Sequence, residues 1–324
     1  MASASPPELN PAQRRTLDAL GAAGADRPAF DADLGDRLRA DLDDGLAPVL
    51  DDLGPDEDLN LAKHLLSRVH GCEVRFLAED DEDFVASVPV ARGAIAHKAI
   101  ELGVHWRREA PPLELVDEAI ARLTNAEHWL TDFLQRATEA DLAELRGTAG
   151  DKVAKFFECF PPLRREWRPV TESAQYVDLA GGRVVLRGKV DLTLGQAHGL
   201  QAGKVVIDLK TGSPNPSHRE DLRFYALLDA VRIGVPPRLV ASFYLDEGSA
   251  HTEAVTVDLL DAAVARTVDG ARRVVALRAG TTAPRHRPSF GCRWCSQLAV
   301  CDPGRSWLAD EAVDLDLDPE NDDA

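Results

Sequence analysis

Apolar positions in the first half of the chain recur at helical spacing. Leu34, Leu38, Leu42, Leu46 and Val49 share one stripe and predict a helix within residues 31–67, with Pro and Gly interruptions. Residues 93–108 predict a second helix. Residues 113–145 predict one or two more, with Leu115, Ala119, Ile120 and Leu123 on one face. The texture then changes. Residues 175–179, 183–194 and 204–211 predict strands, with Gly-rich turns at 180–182 and 195–203. A helix over 217–233 follows, with Ser217 and Glu220 in a capping-box pattern and Gly234 as its stop. Residues 239–245 and 253–257 predict two further strands around Asp246-Glu247-Gly248, and 259–278 a last helix. Helices leading into a sheet that meets more helices is an α/β arrangement.

Composition narrows this picture. The 324 residues are 44% hydrophobic and 28% charged, enough for one large domain or two modest ones. No apolar run has transmembrane length and no secretory segment is evident, so a cytoplasmic protein with no membrane partner is expected. The net charge of -18 is unevenly spread. Residues 309–324 carry eight acids and no base, and 30–61 are also Asp-rich. Residues 161–240 hold 12 Lys and Arg against eight acids, and 271–307 seven Arg against one Asp. Acid therefore lies toward the ends, and mild base surrounds the strand region, where a polyanion could be handled. The expected organisation is an acidic helical extension over 1–60, a main domain over 61–308 and a disordered acidic tail over 309–324.

Candidate chemistry sits on the predicted strands. Asp191 ends the run Gly188-Lys189-Val190-Asp191, and Asp208-Leu209-Lys210 lies 17 positions beyond it. Strand side chains alternate, so Asp208 and Lys210 face one way while Ile207 and Leu209 face the core. Two carboxylates and an ammonium on one sheet face suit a divalent cation and a water beside a phosphate.

Five cysteines are present, and three form Cys292-x2-Cys295-x5-Cys301. In a cytosolic chain such spacing reads as metal binding. A tetrahedral metal or a cubane cluster needs a fourth thiolate, which Cys72 or Cys159 could supply. One trio with a distant singleton favours [4Fe–4S] over Zn²⁺, because structural zinc usually shows two short pairs. Cys159, in Phe156-Phe157-Glu158-Cys159-Phe160, has the surroundings of a core residue.

Together these residues resemble the PD-(D/E)XK nuclease superfamily, and more closely its RecB-like branch with an iron–sulphur staple, as in AddB-like and CRISPR-associated exonucleases. Arg92-Gly93-x3-His97-x3-Glu101 is similar to the family's first helix, whose His contributes to the metal site. Glu172 stands where that branch often carries an acid, with Glu166 as a competitor. Tyr225 stands where the family has Gln-x-x-x-Tyr, although Asp221 replaces the Gln. Cys72, in Leu65-Leu66-Ser67-x4-Cys72-Glu73, resembles the first cluster ligand.

The resemblance implies an α/β, restriction-endonuclease-like core of a mixed central sheet flanked by helices, with a helical N-terminal part. It implies Asp191, Asp208, Lys210, Glu172 and Tyr225 in catalysis. Mg²⁺ or Mn²⁺ would be held by His97, Asp191, Asp208 and the Leu209 carbonyl, and a [4Fe–4S] cluster by Cys72, Cys292, Cys295 and Cys301. Arg272, Arg273, Arg285 and Arg287 are the candidate DNA-phosphate contacts. The implied activity is hydrolysis at DNA ends, in repair, recombination or defence. No Gly-x4-Gly-Lys-Ser/Thr loop is present. The DNA would therefore be single-stranded, carry free ends, or be unwound by a separate helicase. A non-catalytic scaffold binding DNA ends or a helicase is the alternative.

Overall fold

The computed structural model describes residues 8–21, 27–54, 57–80, 82, 86–106, 108, 110–126 and 129–316. Its elements run α1 (Pro11–Ala19), α2 (Leu34–Asp52), β1 (Leu59–Ala62), α3 (Lys63–His70), α4 (Glu73–Asp80), α5 (Val88–His105), α6 (Pro112–Asn125), α7 (Thr131–Arg136) and α8 (Glu139–Cys159). They continue with β2 (Val170–Leu179), β3 (Val184–Leu194), β4 (Val205–Lys210), α9 (Pro216–Ile233), β5 (Leu239–Tyr244), β6 (Ser249–Ala254), α10 (Val257–Arg278) and α11 (Asp302–Asp316). Two compact units result: Met1–Ala40, Val85–Val177 and Arg187–Val264 form the first, and Asp41–Phe84, Asp178–Leu186 and Ala265–Ala324 the second. These units do not follow the linear division expected at 60 and 308.

The strands form one mixed sheet in the order β1-β3-β4-β5-β6, with β2 also on β3. β3 pairs antiparallel with β4, β4 parallel with β5, and β5 antiparallel with β6. The parallel β4–β5 pair needs a crossover, and α9 supplies it. Nearly every residue of β4 and β5 is buried, as strands covered on both faces should be.

In the first unit, α5, α6 and α8 pack on the sheet. Ile95, Ala99 and Ile100 meet Leu115, Ala119, Val153 and Phe156, together with Leu192, Ile207, Leu209 and Phe243. Phe156 stacks on Phe160 at 4.8 Å, and both rings meet Phe243 edge-on. Cys159 is buried in this cluster, only 6% exposed, in the core surroundings its sequence neighbours suggest. In the second unit, β1 joins the start of β3 through the Leu59 N–H and the Arg183 carbonyl at 2.8 Å.

Several boundaries differ from the sequence expectation for identifiable reasons. α9 starts one residue early because Asn215 caps it, accepting the Ser217 N–H at 2.9 Å, with Pro216 in its first turn. Gly234, at φ 85°, ends it as expected. The strand expected at 253–257 lies at Ser249–Ala254, because register with β5 pairs Tyr244 with Ser249. Thr256 then accepts the Leu259 N–H at 3.2 Å and the chain turns helical. α11 reaches Asp316, so the first half of the segment expected to be a disordered tail is helical; residues 317–324 lie outside the described residues, as do 1–7.

Candidate active site

The β3–β4 ladder sets the site. Its register pairs Leu192 with Ile207, Thr193 with Val206 and Leu194 with Val205, and then stops. One step further would place Asp191 opposite Asp208. Residues opposite one another in an antiparallel pair share a face, so that register would turn both carboxylates to one face, although the ligand atoms that gather within 4.8 Å of one another are those of His97, Glu172 and Asp191. There the Asp191 carboxylate accepts the Leu209 N–H at 2.7 Å. This side-chain bond takes the place of the next rung and fixes Asp191 beside the Asp208-Leu209-Lys210 backbone.

Tyr225 braces the approach to Asp191. Its ring is buried, and its hydroxyl donates to the Lys189 carbonyl at 2.6 Å. Gly188 lets the ring lie against β3, since a Cβ there would stand 2.5 Å from Tyr225 Cε1. Tyr225 thereby ties α9 to the stretch of β3 that leads into Asp191.

α5 approaches from the other side. A Cβ on Gly93 would lie 3.2 Å from Thr211 Oγ1, so this glycine lets the helix close on the end of β4. One turn on, His97 Nδ1 lies 3.4 Å from Asp191 Oδ1. Burial alone would lower the imidazole pKa. The Asp191 carboxylate, with Glu172 and Asp208 near it, outweighs burial and raises it from 6.5 to about 9.

Glu172 reaches the same point from β2. Its backbone has φ 52°, in the left-handed region that a non-glycine residue rarely adopts. Such strain inside a strand re-aims a side chain and is concentrated at functional sites. Burial, followed by the charge of Asp191, raises the Glu172 carboxyl above its ordinary pKa, against the opposing pull of its Lys189 ion pair. His97, Glu172 and Asp191 bring one possible ligand atom each within 4.8 Å of one another. Glu166 instead lies exposed on a short 3₁₀ turn at Arg165–Trp167.

Lys210 is held by two acids. Its Nζ lies 2.7 Å from Asp208 Oδ2 and 3.3 Å from Asp221 Oδ2. Asp208 is 1% exposed, so its charge is almost wholly removed from water. The residue standing in place of the family Gln is therefore an ion-pair partner of the lysine. Lys189 was not foreseen as a partner of Glu172. The signal was present in the alternation that puts Lys189 and Asp191 on one face.

In the second unit, Cys72, Cys292, Cys295 and Cys301 line one small cavity with Arg75, Leu298 and Gly304. Two tight turns, Phe290–Trp294 and Leu298–Val300, bring the trio together. A Cβ on Gly304 would lie 3.3 Å from Cys301 Sγ and 3.4 Å from Cys292 Sγ, which bounds their separation at 6.7 Å. Among the described residues, however, no three of these thiols lie within 4.8 Å of one another.

The expected phosphate contacts are partly committed elsewhere. Arg273 pairs bidentately with Glu73, a carboxylate only 5% exposed, which also accepts the Arg285 N–H at 2.8 Å. This is an internal ion pair in place of the expected phosphate contact. Arg287 donates to the His70 carbonyl at 2.5 Å, and Arg272 to the Gly45 carbonyl at 3.0 Å. These two side chains and that of Arg285 are otherwise exposed.

A family model described as the PD-(D/E)XK nuclease superfamily matches residues 63–302. Among solved structures, a candidate exonuclease from Eubacterium rectale is 12% identical, with 77% of this chain and 88% of that one covered and a TM-score of 0.47. A protein named SSO0001 is 13% identical, with 82% and 95% covered and a TM-score of 0.33. No curated protein matches the chain. Among the described residues, no helix is long and apolar enough to cross a membrane.

Proposed function

The chain belongs to the PD-(D/E)XK nuclease superfamily, and from that premise we propose that it is a divalent-metal-dependent DNA exonuclease of the RecB-like branch. The observation that carries this reading is the convergence of His97, Glu172 and Asp191 within 4.8 Å, beside the buried Asp208–Lys210 pair. The donors are oxygens and one imidazole, a set that suits Mg²⁺ or Mn²⁺. The raised His97 pKa fits a site built for more positive charge than its lysines supply.

Asp191, Asp208, His97 and the Leu209 carbonyl are the proposed ligands. A cation held there would polarise the scissile phosphate and acidify a water. Lys210 orients that water and offsets charge developing on the phosphate. Asp208 and Asp221 hold its ammonium in place. Glu172, aimed by its left-handed backbone, completes the acidic face. Tyr225 acts through β3, by fixing the strand that carries Asp191.

The cysteine set is proposed to hold a [4Fe–4S] cluster. The compact trio with one distant partner favours a cluster, since structural zinc usually shows two short pairs. The cluster would tie Cys72 to the C-terminal trio inside the second unit, stabilising it without joining the chemistry. DNA contact falls to exposed Arg272, Arg285 and Arg287, and to Arg293, which lies 5.4 Å over the exposed Phe290 ring. The substrate would be single-stranded DNA or DNA with free ends, with any unwinding left to a separate helicase.

The test is end-labelled single- and double-stranded DNA incubated with the protein and Mn²⁺ or Mg²⁺, beside Lys210→Ala. Progressive shortening by the wild type alone supports the reading, and label position gives the polarity. Binding without shortening by folded, iron-replete protein would favour a scaffold of the same fold. Iron content and visible absorption of anaerobic protein separate the cluster from zinc.

A further inference from the structure

The two turns that carry the cysteine trio also carry the most exposed large apolar side chains among the described residues. Trp294 is 75% exposed and Val300 77%, and Phe290 is half-exposed. The chain has five Trp, and the other four are better covered. Trp is well covered on average, and a soluble surface carries few exposed ones beyond what function needs. Apolar residues scattered singly over a surface need no explanation. These three instead share two turns that pack together, Phe290–Trp294 and Leu298–Val300.

Local geometry sets their direction. Cys292 and Cys295 line the small cavity, while Arg293 and Trp294, the two residues between them, are exposed to solvent. α11 packs on both turns and backs them. Its Trp307 meets the Phe290 ring edge-on at 5.1 Å, and the Arg293 guanidinium lies 5.4 Å over that ring. Charge follows the rings. Residues 279–309 hold Arg285, Arg287, Arg293 and Arg305 against one acid, Asp302, which is ion-paired with Arg305. Arg285, Arg287 and Arg293 are exposed. In a chain of net charge -18, this segment combines exposed rings with a positive balance that a polyanion complements.

We propose that this surface is a stacking platform for the unpaired bases of a DNA strand, with a base on the Trp294 ring and Arg287 and Arg293 on the flanking phosphates. Proteins that hold single strands combine cationic groups along the backbone with aromatic rings on which bases stack. Every base has a π-face, so such a platform tolerates any sequence. Those faces are free only where the strand is unpaired. The inference rests on the DNA reading above and narrows it, because the second unit would take single strand in preference to duplex. Phosphate contact by arginines alone would not call for an exposed indole.

The experiment is a fluorescence titration of the full chain in EDTA, so that metal-dependent cleavage plays no part. The probes are an oligothymidylate, an abasic strand of the same length and a blunt duplex. Iron and zinc are assayed, so that proteins with equally filled cysteine sets are compared. Trp294→Leu keeps an apolar side chain and removes the ring, and Trp294→Phe restores one. Wild type should quench its Trp emission on oligothymidylate and bind it at least about tenfold more tightly than the abasic strand. Trp294→Leu should lose both the quenching and that margin, with the salt dependence unchanged because the phosphate contacts remain. Trp294→Phe should keep most of the margin. Equal binding of the abasic strand by wild type overturns the proposal without any variant. Wild-type affinity in Trp294→Leu, tighter binding of the duplex, or no binding of any probe overturns it as well. Shortening of DNA in Mn²⁺ by a protein that fails these tests would remove the platform and leave the nuclease reading standing.

Discussion

In metal-free protein, His97 should hold its proton to about pH 9. Burial opposes that charge, but the Asp191 carboxylate 3.4 Å away outweighs it, with Glu172 and Asp208 adding to the field. The rise from 6.5 to about 9 corresponds to about 3 kcal/mol of stability, at about 1.4 kcal/mol per pH unit. The folded pKa is the higher one, so the folded state binds the proton more tightly. The contribution is full below pH 6.5 and is lost as pH rises through 9. Urea unfolding in EDTA, run from just below pH 6.5 to just above pH 9, reads it directly. Wild type should lose about 3 kcal/mol more than His97→Gln across that interval. A difference between the two proteins that stays flat with pH refutes the reasoning. Mn²⁺ should act in the opposite sense. A ligating imidazole must be neutral, so binding expels the proton, and apparent affinity should rise about tenfold per pH unit until the plateau.

Three further outcomes follow from the same site geometry. Asp208→Asn and Lys210→Ala should each abolish cleavage of end-labelled DNA while keeping the circular dichroism of the wild type; full activity in either would remove the Asp208–Lys210 pair from the mechanism. Arg273→Ala should cost about 3 kcal/mol by stranding buried Glu73, with no loss of DNA affinity; an unchanged urea midpoint with weakened DNA binding would return Arg273 to the DNA surface. Gly188→Ala should cost about 1–3 kcal/mol, because its Cβ would meet Tyr225 Cε1 at 2.5 Å, and should also slow cleavage through Asp191; activity unchanged at that stability cost would detach Tyr225 from the site.

The sequence made β3 and β4 legible because buried strands and their turns leave strong local patterns. Their alternation was enough to bring Asp191, Asp208 and Lys210 to one face. It could not show that the ladder ends at Leu192, because register belongs to the pair of strands and not to either strand's own pattern. β1 and α11 were hidden for another reason: β1 is four residues long, and the acid-rich end of α11 reads like a solvated tail. The arginines expected to meet DNA phosphates leave the least local signal. Composition counts basic residues but not their partners, and Glu73 lies 200 positions from Arg273.

The charges around the site can be balanced against one another. Asp191, Asp208, Glu172 and Asp221 bring four carboxylates, while Lys189 and Lys210 bring two ammonium groups. With all six ionised and His97 neutral, two negative charges remain uncompensated. Like charges set opposite one another on a sheet are destabilising, and Asp208 cannot shed its field into water at 1% exposure. The metal-free protein can relieve half of that excess by protonating His97, and the raised imidazole pKa reports it doing so. The Glu172 pKa is raised chiefly by burial, and the charge of Asp191 adds to it. A divalent cation would relieve all of it and would free His97 to act as a ligand. An acid at position 221 fits the same balance, since a neutral side chain there would leave the site one negative charge short of matching a dication.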